Sequence, residues 1–227
     1  MIYAYTFCRE SLIRPDGVRI PDDGIEQYDT NRPLELCRHG YHASTDILDA
    51  MKYAPGPILR RVRCSGKIIE QNDKLVCRRR TEIWRYDCTR VLRLWACWCT
   101  RRTLQRERDA GREPDPRSWV AVDVAERYAH GKATDDELSA AYSAAWDAAW
   151  YAAYSAAKYA AYSAAWDAAY SAARDAAEYA AWNAAYSAAY SAAKYTARDA
   201  AKYAARDAER DIQRTQLLKM IDDDRTK

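Results

Sequence analysis

The chain has no proline, glycine or cysteine in its C-terminal part: all seven prolines and all seven glycines lie at or before Gly131, and all seven cysteines at or before Cys99. Without those breakers, nothing beyond Gly131 punctuates the chain into turns, which excludes a sheet or a loop-rich domain there. Phenylalanine occurs once, at Phe7, whereas tyrosine occurs 18 times and tryptophan 8 times. No run of about 18 apolar residues exists, which excludes an apolar helical membrane span. There is no C-x-x-C pair, and Cys97-x-Cys99 is too close for a usual zinc-ligand pair. A Gly-rich phosphate loop, G-x-S-x-G and H-E-x-x-H are also missing, so no common catalytic signature names a reaction. The odd cysteine count, with Met1 running straight into the strand-like Ile2–Phe7, gives the expectation of a cytoplasmic chain with free thiols.

What is present divides by position. Residues 1–86 read as a small α+β module. Its strand candidates are Ile2–Phe7, Leu34–Cys37, Tyr41–Ser44, Ile58–Cys64, Lys67–Ile69, Leu75–Arg79 and Glu82–Tyr86, separated by Gly and Pro turns. Thr45 and Asp46 can cap a helix from Ile47 to Ala54, which Pro55-Gly56-Pro57 ends. Residues 87–132 carry helical spacing, in Val91, Leu92, Trp95 and Trp98 and again in Trp119, Val122 and Val124, and predict a helical hairpin connector. Thr134-Asp135-Asp136-Glu137 is a capping box that opens the third segment, 133–227.

From Ala140 to Asp207 that segment consists of seventeen Ala-Ala-x-x tetrads, with Thr196 the one replacement in the Ala pairs. Alanine is the strongest helix former. The spacing predicts one very long Ala-rich helix, about 87 residues and on the order of 130 Å if it runs to Ile221. The expected fold class is therefore an α+β N-terminal module followed by an all-α region dominated by that helix. A four-residue period exceeds 3.6, so the Ala strip drifts about 40° per tetrad and favours a right-handed supercoil. Slippage of a twelve-nucleotide unit would also produce such a tract. The functional expectation is a non-enzymatic protein that self-associates through the strip into a homo-oligomer or filament. The aromatic residues expected at those contacts are Tyr142, Trp146, Trp150, Tyr154, Tyr162, Trp166, Tyr170, Trp182 and Tyr186. The partner expected is the chain itself, with no membrane and no cofactor.

Two alternatives stay open on residues alone. Residues 60–108 hold fifteen Lys/Arg against five Asp/Glu, so Arg60, Arg61, Arg63, Arg78, Arg79 and Arg80 could contact nucleic acid. Cys37, His39 and His42 place a thiol and two imidazoles close together, as a zinc site would need, although a strand at Tyr41–Ser44 would make the two imidazoles diverge.

The motif Cys37-Arg38-His39-Gly40-Tyr41-His42-Ala43-Ser44, with Tyr53-Ala54-Pro55-Gly56, Cys64-Ser65-Gly66 and Asp73-Lys74-Leu75-Val76, resembles an uncharacterised module of phage and bacterial proteins. The resemblance covers most of the first 138 residues and extends to helical regions that precede Ala-rich tails. It implies a phage or prophage setting and no particular activity. His39-Gly40, a short strand, a helix with Tyr53-Ala54 and a further strand are also similar to the NAD-binding half of ADP-ribosyltransferases. That likeness implies that His39 holds the nicotinamide ribose, Tyr53 stacks on nicotinamide and Glu82 orients the acceptor.

Overall fold

The computed structural model describes residues 1–14, 17–29, 31–155 and 201–226; side chains at 147–155 and 201–206 are left aside. The chain divides into two compact units, Met1–Cys88 and Thr89–Lys227.

In the first unit a single antiparallel sheet holds β1 (Ile2–Cys8), β2 (Ile25–Gln27), β3 (Tyr41–Ala43), β4 (Ile58–Glu70) and β5 (Leu75–Asp87). The strand order is β1-β4-β5-β2, with β3 also paired to β5. Thus one edge of β5 pairs with β4 along its length, while the other pairs first with β3 and then with β2. The sequence suggested four separate segments between Ile58 and Tyr86. They fuse into two long strands because the Arg79–Thr81 stretch stays paired with Arg63–Ser65, and Gly66 and Lys67 are taken up as an irregularity between Ser65 and Ile68; a second lies at 61/62. Leu34–Cys37 is not a strand: it is a turn closed by Glu35 and His39, whose N–H groups both bond back onto this corner at 2.9 and 2.8 Å. The short strand β2 has no counterpart in the sequence reading.

Helix α1 (Ile47–Met51) packs against β1, and the Asp46 carboxylate caps it by accepting from the Leu48 and Asp49 N–H groups. The core includes Ala4, Ala43, Val62, Cys64, Leu75 and Cys77. Gly40, in the His-Gly motif, has φ +112°, and a Cβ there would lie 2.6 Å from side-chain atoms of both Leu34 and Val76. Its absence of a side chain lets the 34–40 turn close onto β5.

The second unit contains α2 (Thr89–Asp109), α3 (Pro116–Ala129), α4 (Asp135–Ser155) and α5 (Ala201–Arg225). Helix α3 starts where Asp115 caps the Arg117 N–H with Pro116 in the first turn. The capping box before α4 is formed: Thr134 Oγ1 accepts from Glu137 N–H at 3.1 Å, and Glu137 accepts from Thr134 N–H at 2.7 Å. Val122, Val124, Ala125 and Leu138 pack with Cys97 and Leu104 between these helices.

The expectation of one very long helix dominating this region is overturned. Helix α4 lies against α3, and α5 lies against α2, where Trp95 Nε1 donates to the Gln213 carbonyl at 2.9 Å. Helices α2 and α3 are themselves packed together. A straight helix from Asp135 to Gln213 would separate its ends by on the order of 120 Å. Such a rod cannot place both ends on one short hairpin. The described helices have 21 residues (α4) and 25 residues (α5). The propensity that favours helix at every tetrad has no term for burial of Leu217 and Ile221, which are 0 % and 1 % exposed in α5. At its start, the alanine strip is covered from within the chain, Ala145 being buried with Ala121 of α3. Among the described residues no helix is long and apolar enough to cross a membrane.

Replacing Leu217 by Ala should destabilise the helical unit by about 2–5 kcal/mol, the usual cost of emptying a buried leucine site. Urea unfolding followed by the far-ultraviolet helix signal checks this. A midpoint unchanged from the parent chain would mean that α5 does not dock through that residue.

Candidate functional site

Glu26, the middle residue of β2, stands directly opposite Arg80 in the sheet. Its side chain is buried, at 1 % residue exposure. Arg80 clasps it with two prongs: Nε donates to Oε2 at 2.7 Å and Nη2 to Oε1 at 2.9 Å. The remaining nitrogen, Arg80 Nη1, donates to the His42 carbonyl at 2.5 Å and to Thr6 Oγ1 at 3.4 Å, tying β5 to β3 and β1. Arg14 Nη1 reaches Glu26 Oε1 at 3.3 Å from the loop after β1.

Arg60 on β4 is fully buried. Its Nε donates to Glu82 Oε2 at 2.5 Å, and Arg85 Nε takes the other Glu82 oxygen at 2.6 Å. Arg60 Nη1 lies 3.0 Å from Glu26 Oε2, an ion-pair contact off the hydrogen-bond axis. Arg60 Nη2 has no acceptor among the described residues. Burial pushes the Glu26 carboxyl up, but Arg80 and then Arg60 outweigh it and hold it at about 2 against an ordinary 4.5.

Arg14, Arg60 and Arg80 of this network sit in the wall of a cavity of about 580 Å³ within this unit. Arg14, Arg38, Arg60, Lys74 and Arg80 line it, and no carboxylate does among the described residues. Ile13, Ile20, Ala50 and Pro55 supply apolar wall, and Tyr5, Tyr28, Tyr41 and Tyr53 aromatic wall. The rings are partly engaged already. Arg14 and Arg80 lie 5.1 and 5.4 Å from the Tyr41 centroid, and Arg61 lies 4.2 Å from that of Tyr5. At the mouth Tyr53 donates to Asp73 Oδ2 at 2.6 Å, and Lys74 Nζ lies 4.8 Å from the Tyr53 ring. The Asp73 bond raises the Tyr53 phenol above its ordinary value. Burial, then Arg80 and Lys74, push the His42 imidazole below its usual range. It is neutral at pH 7, and its Nε2 accepts the Cys37 N–H at 2.8 Å.

The residues singled out in the sequence fall at different places. Of His39, Tyr53 and Glu82, only Tyr53 lines the cavity; His39 is exposed on the turn and Glu82 is bound by Arg60 and Arg85. Cys37 and His42 meet through backbone rather than as a ligand pair, and no group of three or more His, Cys, Asp or Glu is placed to hold a metal among the described residues. The six arginines also separate. Arg60 and Arg80 are buried, Arg61 lies over Tyr3 and Tyr5, Arg78 donates to the Asp29 carbonyl, and Arg63 and Arg79 are exposed. Further along the basic stretch, Arg101 pairs with Asp123 and Glu126, and Arg102 and Arg106 with Glu209. Of the aromatic residues expected at self-association contacts, Tyr142 and Trp146 are half-buried with ring centroids 6.0 Å apart. Trp150 and Tyr154 lie on α4 with their side chains outside the described set, and Tyr162, Trp166, Tyr170, Trp182 and Tyr186 lie outside the described residues.

Glu26 and Arg14 carry no mark in the sequence. Ile25-Glu26-Gln27 after Gly24 is a weak strand signal, and the importance of Glu26 comes from Arg80, 54 residues away.

Because the folded Glu26 ionises near 2 and its unfolded counterpart near 4.5, the stabilisation it brings is complete above 4.5 and is lost as pH falls from there towards 2. Protection factors of the sheet amides, taken against the intrinsic exchange rate at each pH, should therefore fall over that interval in the parent chain. In Glu26→Gln that fall should be smaller, with protection already lower at pH 7 by about 3–5 kcal/mol, the cost of leaving buried cations without their carboxylate. Equal protection in the two chains at pH 7 would contradict this role for Glu26.

No family model, no curated protein and no solved structure matches this chain.

Proposed function

We propose that Met1–Cys88 is a binding module whose cavity takes a small organic anion. The observation that carries this reading is Arg60: a fully buried guanidinium in the cavity wall with one nitrogen lacking an acceptor among the described residues. A buried charged donor left unsatisfied is costly, and a ligand oxygen is the natural group to complete it. Five lining cations and, among the described residues, no lining carboxylate give the sign of that ligand. The cavity volume and its mixed apolar and polar wall suit a small molecule rather than a polymer. The nucleic-acid reading loses support because only Arg63 and Arg79 of its six arginines are exposed: Arg60 and Arg80 are buried, Arg61 lies over tyrosine rings and Arg78 donates to the Asp29 carbonyl. The ADP-ribosyltransferase reading loses it because His39, Tyr53 and Glu82 are not gathered around the cavity.

Anion binding to the folded state must raise stability in proportion to ligand saturation. Thermal unfolding against a panel of benzoate, phenyl sulfate, phenyl phosphate, benzyl alcohol and benzylamine, at matched ionic strength, tests the reading. At least one anion should raise the midpoint, and the neutral and cationic compounds should not. If no anion shifts it, or the cationic compound shifts it equally, the reading fails.

A second reading concerns the tetrad tract and rests on the sequence repeat: the strip beyond α4 associates with the same strip of other copies. Light scattering of the full chain should then give a mass several times 26.0 kDa. Substituting Gln for Ala at 164, 165, 168, 169, 184 and 185 should reduce it to that of one chain. A single-chain mass for the parent protein would remove this reading.

A further inference from the structure

We infer that the anion is an organic phosphate monoester, bound as its dianion; this rests on the reading of the cavity as an anion site. The reasoning starts from which cations remain once the internal carboxylates are assigned. Glu26 is satisfied by the two-pronged clasp of Arg80, and Glu82 by Arg85. Arg60 touches both acids and owns neither: with Arg14, Arg80 and Arg85, four guanidiniums contact two carboxylates, so positive charge is left in excess and Arg60 carries its share at a fully buried position. Lys74 adds to it. Its ammonium lies against Tyr53 at the cavity mouth, 3.4 Å from the hydroxyl, and makes no ion pair with a carboxylate among the described residues. Asp73 beside it is taken by the Tyr53 hydroxyl and by Lys52 at 3.7 Å.

Positive charge in excess of the internal carboxylates, with Arg60 deep and Lys74 beside Tyr53, matches a doubly charged head better than a carboxylate or a sulfate ester. A phosphate monoester carries close to two negative charges at neutral pH and offers three acceptor oxygens. Arg60 Nη2 and Lys74 Nζ are donors of the charge-assisted kind that such oxygens accept. The site also has more room than a bare phosphate fills. At about 580 Å³ with Ile13, Ile20, Ala50 and Pro55 in its wall, it accommodates an apolar or ring-bearing organic part. Arg14 and Arg80 both lie over the Tyr41 ring, at 5.1 and 5.4 Å from its centroid, so this ring is already engaged by arginines.

Phenyl phosphate and phenyl sulfate have nearly the same shape and differ by about one charge at pH 7.5, which makes them the probes of choice. Isothermal titration of the full chain should give phenyl phosphate an affinity about tenfold or more above that of phenyl sulfate and of benzoate, a difference of roughly 1.4 kcal/mol. Inorganic phosphate should bind more weakly than phenyl phosphate. In Lys74→Gln, a change at a partly exposed side chain that leaves the buried network intact, the preference for phosphate over sulfate should shrink to a few-fold. Arg60→Gln should abolish binding of both, with circular dichroism confirming the fold. Equal affinities for phenyl phosphate and phenyl sulfate, or a preference unchanged in Lys74→Gln, would overturn the dianion assignment while leaving an anion site standing. Inorganic phosphate binding as tightly as phenyl phosphate would overturn the organic part. Failure of every anion at about 10 mM, where a millimolar site would be well filled, would remove both this inference and the reading beneath it.

Discussion

One buried carboxylate organises the N-terminal unit. An ionised side chain at 1 % exposure is tolerable only if its charge and its lone pairs are met inside the protein, and Glu26 is met by Arg80 in two bonds and by Arg60 and Arg14 in contacts. That requirement reaches far along the chain. It needs β2 paired with β5 so that Glu26 falls opposite Arg80, and a slip of one residue would turn the carboxylate to the other face. It needs β4 beside β5 to bring Arg60 alongside. Through Arg80 Nη1 it also holds the backbone at His42, which shapes the cavity wall.

Pairing within each unit also meets much of the charge in the basic stretch. Arginines between 60 and 108 are distributed over two units and over both faces of the sheet, and most of them meet acids or carbonyls of their own unit. The fork geometry of guanidinium allows one side chain to bind two partners, as Arg60 and Arg80 do. Charge concentrated along the sequence is therefore dispersed in space. Part of what survives as an excess, at Arg60 and Lys74, lines one cavity, where low exposure strengthens electrostatic interactions.

The helical unit illustrates a different competition. Ala-Ala-x-x tetrads state helix at every position and carry no stop, so local preference alone extends the rod without limit. Tertiary burial decides otherwise at both described ends. Ala145 closes on Ala121 because two methyl groups let the backbones of α3 and α4 approach, and α5 sets Leu217, Ile221 and Gln213 into protected positions, with the Gln213 carbonyl on Trp95. Glu209, 4 % exposed, draws Arg102 and Arg106 of α2. Those are non-repeating residues, and they begin where the tetrads give out.

Local chemistry was legible in the sequence wherever it acts within a few residues. The capping box at Thr134–Glu137, the Asp46 cap of α1, the hairpin of α2 and α3, and strands read at Ile2–Phe7 and Tyr41–Ser44 all follow from neighbours along the chain, as does the helix-forming power of the tetrads. Cys37, Tyr53, Arg60 and Arg80 were visible as chemistry-bearing residues, but not as parts of one cavity, and Lys74 was not singled out. That grouping depends on pairing between β2 and β5, over 54 residues, which no short pattern encodes. Tertiary structure alone chose Glu26 as the counter-charge, left Arg60 unsatisfied and placed α4 and α5 on one hairpin. The physical reason is common to all three: burial and charge compensation are properties of a position in space, and a sequence window registers only what lies next to it along the chain.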